Sequence, residues 1–115
     1  MCTVTWWGAP QRDAYEIFFN RDERRKSTVG PSAPHQCRGV AYLAPKEATQ
    51  GGTWLLVNAY GVTLALVNHY PRRTMPVSSP PFSRGRLVCG LGDVTSVAAV
   101  KTRLAREELG HPRAA

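Results

Sequence analysis

Two nearly continuous apolar runs around a single turn constrain this chain more than any other feature. Thr53-Trp54-Leu55-Leu56-Val57-Asn58 leads into Ala59-Tyr60-Gly61, and Val62-Thr63-Leu64-Ala65-Leu66-Val67-Asn68 leads out. An Asn opening and a Gly closing so short a connection is turn chemistry, so the stretch reads as a β-hairpin. A strand with one wet face alternates apolar and polar residues. These runs barely alternate. They predict a sheet covered on both faces, as when two sheet layers stack and helices cover the outside.

The rest of the chain arranges itself around that hairpin. Cys2-Thr3-Val4-Thr5-Trp6-Trp7 is β-branched and aromatic, which is strand composition. Residues 8–13 read as a connection and Ala14–Asn20 as a second strand, making a hairpin of residues 2–20. If these strands pair, Cys2 comes beside Asn20-Arg21-Asp22-Glu23. Residues 24–34 read as a polar loop and 36–43 as containing one short strand. Residues 45–50 read as a turn or a short helical piece. Residues 69–82 hold four prolines and read as irregular. Ser83 suits the N-cap of a short helix through Leu91. Asp93 suits the N-cap of a second helix, with Val97, Val100, Leu104 and Ala105 at helical spacing and Gly110 and Pro112 beyond it. Strands come first and helices follow, with no alternating β-α pattern. The fold class is therefore α+β, in a single domain over residues 1–115.

The chain has 115 residues, 43% of them hydrophobic and 20% charged, enough for one buried core and too few for two domains. Its net charge of +7 is spread in twos and threes, as in Arg24-Arg25-Lys26 and Arg72-Arg73, rather than gathered in one patch. Its aromatic residues lie mostly in apolar runs. Nucleic acid is accordingly set aside as a partner. Three cysteines without a C-x-x-C pair or paired His spacing argue against a disulfide framework and against a zinc site. No metal or other cofactor is expected. No basic-then-apolar leader is visible, and no apolar run approaches the ~20 residues of a membrane span. The expectation is a cytoplasmic protein in a reducing compartment.

Four residues stand out chemically. A small second residue generally allows removal of the initiator Met. Cys2 would then carry a thiol and a free α-amine, whose reference pKa of roughly 7.7–8.0 suits it to take the thiol proton. Arg21 would favour the thiolate and Asp22 would orient the amine. Asn68, ending an apolar run, could donate to a developing oxyanion. Each has a plainer alternative when read alone. Cys2 is then the start of a strand, Arg21 and Asp22 a surface ion pair of little energetic value, and Asn68 a strand-end cap. His69 follows a strand as an isolated His. Gly90-Leu91-Gly92 lacks the third Gly of a dinucleotide fingerprint.

Taken in order, Met1-Cys2-Thr3, Asn20-Arg21-Asp22-Glu23, Gly51-Gly52-Thr53-Trp54-Leu55, the turn from Asn58 to Gly61, Asn68-His69-Tyr70 and Ser83-Arg84-Gly85 resemble the NRDE family, the transport and Golgi organization protein 2-like proteins. The resemblance runs from Cys2 to about Val88. It implies a partial N-terminal-nucleophile hydrolase-like αββα sandwich, related to amidases that use an N-terminal Cys. By that resemblance Cys2 would be the nucleophile, Arg21 and Asp22 would polarise and orient it, and Asn68 would lie near the oxyanion hole. Two functions follow as expectations. One is Cys-dependent hydrolysis of linear amide bonds. The other is non-catalytic binding or trafficking on the same scaffold, as in lipid or haem handling. Either implies a small-molecule substrate or ligand with an amide or lipid-like group. Three departures stand beside the likeness. The relatives separate the Arg and the Asp that adjoin here. Leu56 stands where the family usually has Gly, which is expected to crowd the hairpin. Family members are longer, so the domain is expected to be incomplete, with open sheet edges that a second copy would cover.

Overall fold

A computed structural model of the chain describes residues 2–21, 30–48, 51–67 and 84–106. Strands β1 (Thr3–Ala9) and β2 (Ala14–Asn20) form an antiparallel pair, with Thr3 opposite Asn20 and Ala9 opposite Ala14. A single 3-10 turn, Pro10–Arg12, joins them, and Asp13 turns the chain back in the left-handed region at φ 50°. A second sheet has the order β3 (Ala33–Cys37), β4 (Val40–Ala44), β5 (Leu55–Asn58), β6 (Thr63–Ala65), each antiparallel to the next. Helices α1 (Arg84–Gly90) and α2 (Val97–Arg106) follow. The architecture is α+β, with antiparallel strands first and helices after them. No helix among the described residues is long and apolar enough to cross a membrane.

The two sides of the four-stranded sheet differ. Leu56, fully buried, packs with Tyr42, Ala44 and Val88 of α1. The expected crowding at Leu56 is therefore absent, because the side chain fills the core beneath the helix. Val62, Leu91 and Val94 form a second buried group, joined by Leu64, Val100 and Leu104. Asn58 points the same way as Leu56 and reaches the segment between the helices.

The opposite side of the sheet carries Leu55, Val57, Thr63 and Ala65, by the pairing of β5 with β6. The β1–β2 hairpin lies on this side. Tyr15, Ile17, Phe19 and Arg21 alternate onto one face of it. At one end of that face, the Tyr15 hydroxyl donates to Gly61 O at 2.7 Å and meets Thr63 Oγ1. At the other, the Arg21 guanidinium lies 3.9 Å from the centroid of the Trp54 ring. The layers therefore run sheet, sheet, helix. Covering is uneven, since Leu43 remains 52% exposed. The reason is width. Two strands about 4.8 Å apart cannot span four.

Three local readings need correction. Residues 33–44 hold two strands, not one. Pro34 lies inside edge strand β3, where a missing N–H is tolerated, and Arg38 with Gly39 makes the turn at φ 47° and 81°. Asp93 does not cap α2. Ser96 does, its Oγ accepting from the Ala99 N–H at 3.1 Å. Val97 is not a core position. It sits on the first, projecting turn of α2 and is exposed, while Val100 and Leu104 pack inward. The readings at residues 24–29, 69–82 and Ser83, and the helix end at Gly110 and Pro112, fall outside the described residues.

Asp93 is instead held by Arg103, whose Nη1 and Nη2 donate to its two carboxylate oxygens at 2.6 and 2.7 Å. Arg38 adds a third bond at 3.2 Å. The Arg103 hydrogen bonds hold the Asp93 carboxyl at about 2, below its ordinary 3.8. A lowered folded value means the stabilisation is fully present above about pH 4 and is lost as pH falls through 2. The pair lies near the surface and Arg38 is largely exposed, so screening trims the contribution to about 1–2 kcal/mol. Urea titrations of Asp93→Asn and the parent should differ by that amount at neutral pH and converge towards pH 2. An unchanged gap at low pH would show that the carboxylate is not the group responsible.

Candidate functional site

The site begins at the open end of the β1–β2 hairpin. Thr3 pairs with Asn20, so continuing the ladder one step sets Cys2 opposite Arg21. Directly opposed residues in such a ladder have Cα atoms on the order of 5 Å apart, and their side chains share a face. That face is the one carrying Val4, Ile17, Phe19 and Tyr15, turned towards the four-stranded sheet. Cys2 is accordingly buried, at 8% exposure, with its thiol free.

Arg21 is held from the other layer. Its guanidinium stacks on the Trp54 indole, a contact that limits where the cation can move. Trp54 is itself fixed from both sides. Its carbonyl accepts from Leu66 N–H at 2.8 Å, and the buried Thr53 before it bonds through Oγ1 to the Leu55 carbonyl at 3.0 Å. Before Thr53, Gly52 lies directly against Gly85, and Thr53 N–H donates to Gly85 O at 3.2 Å. The Gly51–Trp54 stretch and the Arg84–Gly85 stretch, distant in sequence, thus form one support under Arg21.

Of the four residues singled out by sequence, Cys2 and Arg21 are described, and each lies one position beyond the Thr3–Asn20 pair at the open end of the hairpin. Asp22 and Asn68 lie outside the described residues. Trp54 is the residue that sequence reasoning missed. The sequence places it only in the apolar run of the central hairpin and in the Gly51–Leu55 motif, with no role of its own.

The other two cysteines have different settings. Cys37 Sγ lies 3.4 Å from Arg38 Nη1 and 3.6 Å from Asp93 Oδ1, at the far end of the β3–β4 hairpin. Cys89 Sγ points to Gly51 O at 3.8 Å. Both are free and only partly buried, so both compete for any thiol reagent. Among the described residues no group of three His, Cys, Asp or Glu is placed to hold a metal. Gly90 and Gly92 serve packing rather than phosphate. Gly90 O accepts from Arg38 and Arg103 at 3.0 and 3.1 Å, and a Cβ on Gly92 would meet the Tyr42 ring at 2.8 Å.

Comparison with known proteins adds no match: no family model, no curated protein and no solved structure matches the chain.

Proposed function

We propose that the chain is an NRDE-family, N-terminal-nucleophile hydrolase-like protein that cleaves a linear amide through Cys2. The observation that carries the reading is the β1–β2 register, which pairs Thr3 with Asn20 and so leaves Cys2 and Arg21 as the next residues at the same open end of the hairpin. Burial of Cys2 and the stacking of Arg21 on Trp54 support it, since both limit the motion of the reacting pair. The motifs quoted above supply the family likeness.

The step begins after removal of Met1. The Cys2 α-amine takes the thiol proton, and sulfur attacks the amide carbonyl to form a C–S bond. Arg21 faces the charge that develops. The C–N bond then breaks and the amine returns its proton to the departing nitrogen. Water cleaves the thioester, releasing a carboxylic acid and restoring the thiol. No cofactor enters the sequence.

The test is intact mass before and after a thiol-reactive amide or lactone probe, on the parent chain and on Cys2→Ala. The expected result is a chain lacking Met1 that takes one adduct, with the adduct absent from Cys2→Ala. Retained Met1 would block the amine and sink the self-activating nucleophile. Labelling equally strong through Cys37 and Cys89 would leave a binding scaffold that keeps the motif without the chemistry.

A further inference from the structure

The described residues contain four sheet edges, and three of them are blunted in ways that natural proteins use against edge-to-edge pairing. Edge strand β3 carries Pro34 among only five residues. Edge strand β6 has three residues. Strand β2 carries the charged Glu16 as its third residue. Strand β1, TVTWWGA, is the exception. It runs seven residues with no charge and no proline, and its ladder to β2 is unbroken by any bulge. Trp6 and Trp7 stand 71% and 63% exposed on its two faces, and Phe18 lies diagonal to Trp7 at 62%.

We propose that the β1 edge pairs antiparallel with the β1 edge of a second copy, making a closed two-fold dimer with a continuous four-stranded layer. Two-fold symmetry requires that the residue at the centre of the pairing face itself. Overlap of all seven residues puts that centre at Trp6, so Trp6 faces Trp6 of the second copy and Thr5 faces its Trp7. These are aromatic and aromatic–β-branched pairs, which favour pairing across strands.

Charge and area fit a second copy. Residues 2–20 carry one Arg against an Asp and a Glu, a net of −1 in a chain of +7, so the edge joins without opposing the basic residues that dominate elsewhere. At about 200 Å² per aromatic side chain, the exposed parts of Trp6 and Trp7 come to about 270 Å² in each copy. The strand backbone with Thr3, Thr5 and Gly8 adds to this towards the roughly 800 Å² per partner of a stable interface.

The experiment is light-scattering mass of the full chain over a wide concentration range, with Trp6→Lys, Gln36→Lys and Trp6→Cys. A defined species of twice the chain mass, falling to monomer on dilution, is expected. Trp6→Lys places two ammonium groups opposite each other and should weaken the dimer at least about thirtyfold. Gln36→Lys, exposed on the β3 edge, should leave it unchanged. Mild oxidation should link Trp6→Cys chains into a disulfide dimer far faster than Trp7→Cys or the parent chain, because only residue 6 faces its own copy. A parent chain monomeric at every concentration, open-ended aggregation, or equal crosslinking through positions 6 and 7 would each overturn the proposal. The crosslink arm decides the matter even if Trp6→Lys fails to fold.

Discussion

Replacing Asn58 with Ala is expected to destabilise the fold by about 4 kcal/mol, a loss seldom reached by a single polar substitution. Asn58 uses both ends of its amide. Its Nδ2 donates to Gly92 O at 3.2 Å and to Val94 O at 2.6 Å. Its Oδ1 accepts from the N–H groups of Tyr60 and Val62, each at 3.0 Å. The side chain is buried, so alanine would leave carbonyls and amides behind with little access to water. A typical net hydrogen bond adds only about 1 kcal/mol, but a buried partner left unsatisfied costs about 1–3 kcal/mol. The substitution also uncouples two regions at once, the β5–β6 turn and the link between the helices. Asn58→Asp should recover little, because a carboxylate accepts from the two N–H groups but cannot donate to the two carbonyls. Urea denaturation followed by tryptophan fluorescence would measure both variants. A loss below about 1 kcal/mol for Asn58→Ala would mean that water replaces the amide and that the keystone role is wrong.

Gly52→Ala is expected to cost about 3 kcal/mol, and for a different reason. A Cβ at position 52 would lie 2.8 and 2.9 Å from the carbonyl carbon and Cα of Gly85, and 3.0 Å from Arg86 N. All three are backbone atoms, so no side-chain rotation relieves the contact. Either the loop or the start of α1 must move, and the Thr53 N–H bond to Gly85 O goes with it. The same displacement would shift Trp54 and loosen Arg21. Loss of stability should therefore be accompanied by altered reactivity at Cys2, if the proposed chemistry holds. Gly8→Ala is the control. Nothing lies within 4 Å of a Cβ there, so the change should stay within about 0.5 kcal/mol. Equal losses at the two positions would show that close approach to Gly85 is not what the Gly52 substitution measures.

Much of the local structure was legible from residue order. The strand Ala14–Asn20 and the turn from Asn58 to Gly61 lie where composition and turn chemistry put them. The partnership of β1 with β2 followed from the short connection between two strand-like runs. These readings succeed because the signals involved act between near neighbours. A β-branched or aromatic run favours extended backbone, and a nearby Asn or Gly reverses the chain. Where a local signal was ambiguous, the reading failed. Pro34 and Arg38 hid the β3–β4 hairpin, since a proline in a strand and an Arg in the left-handed region both run against the usual preferences.

What the tertiary structure alone decided was which polar groups meet. Asp93 has the chemistry of an N-cap, and a sequence offers no way to see that Arg103 and Arg38 reach it first. Asn58 looked like a turn residue. Its partners at Gly92 and Val94 lie 34 and 36 positions away. Gly51-Gly52 and Gly85 are each ordinary glycines until the loop and α1 are brought into contact. The exposure of Trp6 and Trp7 was equally invisible. Composition assigns large aromatics to a core, but Trp7 lies on the hairpin face turned away from the four-stranded sheet, and Trp6, on the nearer face by its pairing with Ile17, also stays exposed. The alternation of residues sets local conformation through steric contacts between neighbours. Burial and pairing depend on how the layers close, and that free energy is distributed over contacts tens of residues apart.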